Sequence, residues 1–219
     1  MNRLRVRGAA VARRFPTYTD PVVLRPASLL AGALVLVAAL SGCTASDDLA
    51  QQFRSGDGKG YISGDGRVTE FSVEDRGEPV TFASDDTAGT TVTAEQFRGK
   101  VLVVNFWYAE CGPCRLEAKD LNKVSEATTD TAAFLGVNTR DSAANADAFV
   151  RTFGVPYDTV LDVEDNSVQL AFADRTAPNA TPSTIVLDPE GRVSARILGL
   201  VDPSTLTTLI ATAAATPPA

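Results

Sequence analysis

A four-residue turn, Cys111-Gly112-Pro113-Cys114, joins two different periodicities and constrains this chain more than any other feature. Before it, residues 101–106 (Val-Leu-Val-Val-Asn-Phe) are apolar almost without a break, as in a central strand covered on both faces. After it, residues 115–127 carry Leu116, Leu121, Val124 and Ala127 at helical spacing, which predicts that these four line the buried face. Two thiols three positions apart at a helix start can close a small disulfide without unwinding the helix. Cys111 falls where unpaired N–H groups and the positive end of the helix dipole meet, and this favours thiolate, the nucleophilic form. Cys114 falls one turn in, is expected to be the less exposed, and is placed to resolve a mixed disulfide at Cys111. Pro113 suits an early helical position, where its missing N–H costs nothing.

Composition removes most competing chemistries. The 219 residues include no histidine and three cysteines. That excludes a Ser-His-Asp triad, a Cys-His pair and imidazole metal ligation, and leaves the cysteine pair neither a His nor a further Cys in the folded domain with which to build a zinc site. A purely structural disulfide across so short a loop would stabilise little. The net charge of −7 argues against nucleic acid as a partner.

That charge averages two unlike parts. Residues 1–42 hold six arginines, with Asp20 as their one acid, and end in an apolar run at 29–40. A basic stretch followed by a short apolar run is the order of an export signal, and about 20 apolar residues would be needed for a comfortable membrane span. The run closes on Leu40-Ser41-Gly42-Cys43, which resembles a bacterial lipobox and implies cleavage before Cys43 and lipid on its sulfur. Cleavage without lipid, or retention as an uncleaved anchor, are the alternatives. All three readings place residue 43 onward outside the cytoplasmic membrane. Without residues 1–42 the chain has 14 basic and 26 acidic residues, a net of −12, so attachment would come from the lipid rather than a polybasic patch. Residues 43–60 are polar and aperiodic and read as a tether, leaving 61–219 as one folded domain.

Within that domain, residues 68–71 and 80–82 suggest a small β-hairpin or an edge extension. Residues 134–138 read as a strand, Asp141 as the N-cap of a helix bearing Phe149, Val150 and Phe153, and Gly154 as its end. Residues 160–163 are a third apolar piece, and 167–172 a short helix. Residues 183–187 and 193–198 flank a turn at 188–191, and Asp202-Pro203 opens a last helix. The order predicts an α/β fold, a mixed sheet flanked by helices.

Phe106-Trp107-Tyr108-Ala109-Glu110-Cys111-Gly112-Pro113-Cys114 resembles the thioredoxin-superfamily active site, and Ala180-Thr181-Pro182-Ser183-Thr184 resembles its cis-proline strand. Arg98-Gly99-Lys100, Asn105 and the extra strand-helix unit near 134–153 look like the TlpA/ResA branch. The resemblance covers about residues 61–213. It implies a thioredoxin-like fold with an N-terminal β-extension and a central strand-helix insertion. It also implies a membrane-tethered, extracytoplasmic thiol-disulfide oxidoreductase with Cys111 and Cys114 as redox centre and no other cofactor or metal. Thr181 and Pro182 would receive the substrate, and Gly112, Pro113, Trp107 and Asn105 would tune the site. For Trp107, plain core filling is the competing role.

Two departures stand out. Thioredoxin itself has a buried Asp where this chain has Asn105, although Asn is usual in the TlpA-like branch. Glu110 stands before Cys111 where Trp is typical. A carboxylate beside the sulfur disfavours thiolate and lowers the potential, which points to a reductant; the alternative is a solvated Glu110 without influence. The implied partners are cysteine-bearing exported proteins, apocytochrome c among them, and a membrane-embedded thiol donor, with the chain itself a monomer. General disulfide reduction, isomerisation or oxidation are the alternatives within redox chemistry. A peroxiredoxin would need Thr three positions before Cys111, where this chain has Tyr108, and a non-enzymatic binding lipoprotein would leave the two motifs unexplained.

Overall fold

The computed structural model describes residues 67–174 and 180–215. Cys43 and the segments expected to be a signal and a tether lie outside them. Eight strands and four α-helices occur among the described residues: β1 (Val68–Glu70), β2 (Ala83–Asp85), β3 (Thr91–Thr93), β4 (Val101–Trp107), α1 (Gly112–Ala127), β5 (Ala132–Asn138), α2 (Ala143–Phe153), β6 (Thr159–Leu161), α3 (Ser167–Ala171), β7 (Ser183–Leu187), β8 (Val193–Leu198) and α4 (Pro203–Ala214). The main sheet runs β1-β8-β7-β4-β5-β6. Strands β4, β5 and β6 are parallel, while β7, β8 and β1 are successively antiparallel, so the sheet is mixed as predicted.

All seven residues of β4 are buried, and alternate side chains enter different cores. Leu102, Val104 and Phe106 join Leu135, Ile185 and Phe172 on the face covered by α3. Val101 and Val103 join Leu121, Leu206 and Ile210 on the face covered by α1 and α4. This two-sided burial is why the strand lacks polar alternation. It also places β4 centrally, so its C-terminal end delivers the Cys111 turn at one rim of the sheet.

Two expectations are corrected and one alternative is decided. Of the hairpin or edge extension expected at 68–71 and 80–82, the edge extension forms: β1 lies along the sheet edge beside β8, with Val68 opposite Ile197, and a hairpin forms between β2 and β3. The N-cap of α2 is Ser142, because the Asp141 carboxylate is engaged by the active-site loop. On α1, Leu116 and Ala127 face solvent, and the buried stripe is Cys114, Glu117, Ala118, Leu121, Val124 and Ser125. The helix begins at Gly112, and packing beneath the cysteines rotates the buried face onto that set. Gly154 does end α2, in a left-handed conformation (φ 62°), and the Asp202 carboxylate caps α4 by accepting from Thr205 N at 2.9 Å. Among the described residues no helix is long and apolar enough to cross a membrane.

Candidate active site

Cys111 is the N-cap of α1, and its Sγ accepts the Cys114 backbone N–H at 3.1 Å. The two sulfurs form a disulfide with Cα atoms 5.2 Å apart. The expected difference in exposure is absent: each cysteine is only 2% exposed. Cys111 turns inward to bond Cys114 and packs in one cluster with Trp107, Ala118, Ala146 and Phe149. Gly112, Pro113 and Glu110 are the solvent-facing residues of the turn.

The loop before Cys111 is fastened from β5. The Asp141 carboxylate accepts from Ala109 N at 2.6 Å and from Asn138 Nδ2 at 2.7 Å. Arg140 lies over the Tyr108 ring, 4.5 Å from its centroid. Trp107 ends β4 and packs on Phe149 with centroids 4.1 Å apart. Its indole lies across Gly136 on the neighbouring strand, where an added Cβ would meet Trp107 Nε1 at 2.9 Å and Thr159 Oγ1 at 2.7 Å. Only glycine leaves that space.

Behind the disulfide lies a titratable group that the sequence reading passed over. Glu117, one helical turn beyond Cys114, is buried; its Oε1 accepts from Asn105 Nδ2 at 2.9 Å and its Oε2 from Val201 N at 3.0 Å. Burial pushes its carboxyl up to about 7, against the opposing pull of those two hydrogen bonds. Asn105 Nδ2 also donates to Thr184 Oγ1 at 3.1 Å, tying β4 to β7. Asn105, Trp107, Cys114 and Tyr157 line a cavity of about 10 Å³. Burial, and then the Glu117 charge, hold the Tyr157 phenol well above its ordinary range, so it stays neutral. A signal for Glu117 existed: it is a lone acid in the i, i+3, i+7 stripe begun by Cys114. Glu110, by contrast, is exposed.

The Thr181-Pro182 peptide is cis, and Pro182 O accepts from Gly199 N at 2.8 Å. Phe106 pairs with Ser183, so Pro182 continues β7 at the rim where β4 ends. A hollow of about 640 Å³ bordered by Asp85, Asp86, Arg140 and Asp141 has neither cysteine in its lining. Among the described residues no three His, Cys, Asp or Glu side chains are grouped to hold a metal ion.

The Redoxin family model matches residues 65–210. The chain belongs to the Redoxin family. Relatives of this Redoxin domain include the thiol-disulfide oxidoreductase ResA of Bacillus subtilis, 26% identical over 61% of this chain and 72% of ResA. The thiol:disulfide interchange protein HelX of Rhodobacter capsulatus is 33% identical over 46% of this chain, a match spanning about half of HelX (53%). Among solved structures, a secreted thiol-disulfide isomerase from Corynebacterium glutamicum is 27% identical, covering 70% of this chain and 96% of its own, with a TM-score of 0.62. This Redoxin-family chain has a thioredoxin-like fold and is a thiol-disulfide oxidoreductase of the ResA, HelX and DsbE type.

Proposed function

We propose that the protein is a lipid-tethered, extracytoplasmic reductant of protein disulfides, with apocytochrome c cysteines as its substrate class. The observation that carries this reading is Glu117, a carboxyl buried one turn from Cys114, held by Asn105 and Val201 N and pushed by burial up to about 7. A carboxylate there disfavours a neighbouring thiolate, destabilises the dithiol form relative to the disulfide, and lowers the potential.

In the reduced protein the Cys111 thiolate attacks one sulfur of the substrate disulfide. The substrate S–S bond breaks, a Cys111–substrate disulfide forms, and the departing thiolate takes a proton. Cys114 then gives its proton to Glu117 and attacks Cys111 Sγ, which forms the Cys111–Cys114 disulfide and expels the second substrate thiolate. Two electrons pass to the substrate, with the two sulfurs as the whole redox group; of the two protons the product thiols take up, one comes from Cys114 by way of Glu117 and one from solvent. Thr181 and Pro182 receive the substrate backbone at the rim, and Trp107, Gly112 and Pro113 shape the turn. Regeneration takes two electrons from a membrane-embedded dithiol donor. The export signal, Cys43 and the acidic domain support the location.

Cys114→Ser freezes the mixed disulfide at Cys111, and identification of what it captures is the test. Recovery of apocytochrome c supports the reading; a diverse set of exported proteins decides for general reduction or isomerisation, which the Corynebacterium glutamicum neighbour's name favours. A midpoint potential near the roughly −270 mV of thioredoxin is expected, and one above about −180 mV would overturn the reductant assignment.

A further inference from the structure

Once Cys111 holds a mixed disulfide, the charge needed for the second exchange has to form on Cys114 Sγ, and Cys114 is buried. Cys111 Sγ has a donor of its own, Cys114 N at 3.1 Å. The donors around Cys114 are mostly spent. Asn105 Nδ2 uses its two hydrogens on Glu117 Oε1 at 2.9 Å and Thr184 Oγ1 at 3.1 Å, and Val201 N is taken by Glu117 Oε2. The indole Nε1 of Trp107 lies over Gly136 on β5. Of the polar side chains that line the small cavity against Cys114, this leaves the Tyr157 hydroxyl.

Local structure steers Tyr157 to that place. Gly154 ends α2 in the left-handed conformation, Val155 N donates to Val150 O at 3.0 Å, and Pro156 follows. Asn122 of α1 donates to Phe153 O at 2.9 Å and to Gly154 O at 3.0 Å, which fastens this turn to the cysteine-bearing helix. The Tyr157 ring then packs against the core that holds Leu121, Val124 and Phe134, its centroid 5.5 Å from that of Phe134. The cavity it shares with Cys114, about 10 Å³, has room for one water at most. Tyr157 also borders an outer hollow of about 170 Å³ with Glu126 and Thr129, so it separates the cavity from the surface there. The charged groups that face it come from α1: Glu117, whose charge reaches the phenol, and Glu126 at the hollow. Burial and then the Glu117 charge keep the phenol protonated, so it serves as a donor and not as a base.

We propose that the Tyr157 hydroxyl donates a hydrogen bond, directly or through one water, to Cys114 Sγ as that sulfur becomes thiolate, and so speeds the resolving step. A hydrogen bond to the charged form favours that form, and one made away from bulk water is the stronger for it. This rests on the redox reading above and adds a group to its second step. The hydroxyl keeps its own proton. The thiol proton passes to Glu117, Cys114 Sγ bonds to Cys111 Sγ, and the bond from Cys111 to the departing thiolate breaks.

The test mixes the reduced full chain with dithiobis(nitrobenzoate) and follows release of the first thionitrobenzoate, on attack by Cys111, and of the second, on attack by Cys114. Tyr157→Phe keeps the ring and removes the donor. It is expected to leave the first phase within about twofold of wild type and to slow the second about tenfold at pH 8, the low end for a hydrogen bond to a charged group. The midpoint of the second-phase pH profile should stay where it is, and the same tenfold loss should appear when Tyr157→Phe is added to Glu117→Gln. Tyr157→Met, which lacks both ring and hydroxyl, should slow the second phase at least as much. A second phase in Tyr157→Phe equal to wild type would overturn the proposal, and slowing in Tyr157→Met alone would assign the residue to packing. Equal slowing of both phases, or a shifted midpoint with no loss in the Glu117→Gln background, would also overturn it, the latter because the hydroxyl would then act on the carboxyl and not on the sulfur. Thionitrobenzoate release asks only for the two thiols, so a chain that captured no protein through Cys114→Ser would fail the functional reading and still report on Tyr157.

Discussion

Asn105 Nδ2 donates to Glu117 Oε1 at 2.9 Å, so a side chain that cannot titrate is wired at the core of the site to one that can. Thioredoxin itself carries the acid on the strand. Here the strand contributes the amide, and the acid comes from the helix that begins at the cysteines. The same carboxylate also holds Val201 N, which couples the protonation of the site to the loop beside Pro182.

This arrangement predicts a pH signature in the resolving step. With the Glu117 carboxyl pushed up to about 7, attack of Cys114 on a Cys111 mixed disulfide should accelerate as pH rises through that value. Glu117→Gln should flatten the profile and slow the step about 10²-fold at pH 8. Stopped-flow release of thionitrobenzoate from Cys111 measures this directly. An unchanged profile would remove Glu117 from proton transfer.

The same group sets a stability trend of definite sign. Its folded pKa lies above its unfolded one, so the folded state binds the proton more tightly. The contribution is complete below about pH 4.3 and is lost as pH rises to about 7, amounting to about 3 kcal/mol. Urea unfolding of the oxidised protein at pH 5 and pH 8, taken as the difference between wild type and Glu117→Gln, isolates this term from Glu70, whose carboxyl burial also raises. Equal pH slopes in the two proteins would contradict the assignment.

Gly136→Ala should disturb Trp107 through a residue that never touches the sulfurs. The new Cβ would stand 2.9 Å from the indole nitrogen and 2.7 Å from Thr159 Oγ1, at a cost of about 1–3 kcal/mol. Trp107 is the chain's single tryptophan, so its emission reports the displacement. Adding Thr159→Ala relieves the hydroxyl clash alone. If that double variant recovers wild-type emission and midpoint potential, Gly136 does not act by positioning the indole.

Two ion pairs should differ sharply under urea unfolding. Asp188 accepts from Arg76 Nη1 at 3.1 Å and Arg192 Nε at 2.9 Å, and Arg76 is only 3% exposed. Asp188→Ala leaves buried guanidinium charge without its carboxylate and should cost about 3–5 kcal/mol. Asp120→Ala, which breaks the exposed pair with Lys123, should cost under about 1 kcal/mol. Comparable losses would refute this ranking.

Several features of the site were legible because their signals are local. The unbroken apolar run at β4, the helix opened by Pro113, and the cap and stop residues Asp202 and Gly154 each depend on neighbours a few positions away. Glu117 was half legible. Its place in the Cys114 stripe could be counted, but its burial depends on Val201, 84 positions along. Asp141 looked like an ordinary helix cap because Ala109, whose N–H it accepts, lies 32 residues earlier. Leu116 was misplaced because helical spacing defines a face without saying where its edges fall.

The sequence by itself determined the chemistry: two sulfurs at a strand-to-helix turn and no histidine to compete. These follow from residue identity and short-range spacing. Only the tertiary structure decided which groups surround those sulfurs. It paired β1 with β8, set Asn105 against Glu117, laid Trp107 over Gly136, and left Leu116 in water. The reason is physical. The pKa of a carboxylate and the exposure of a leucine are set by what packs against them, and in this fold those neighbours arrive from distant strands and loops.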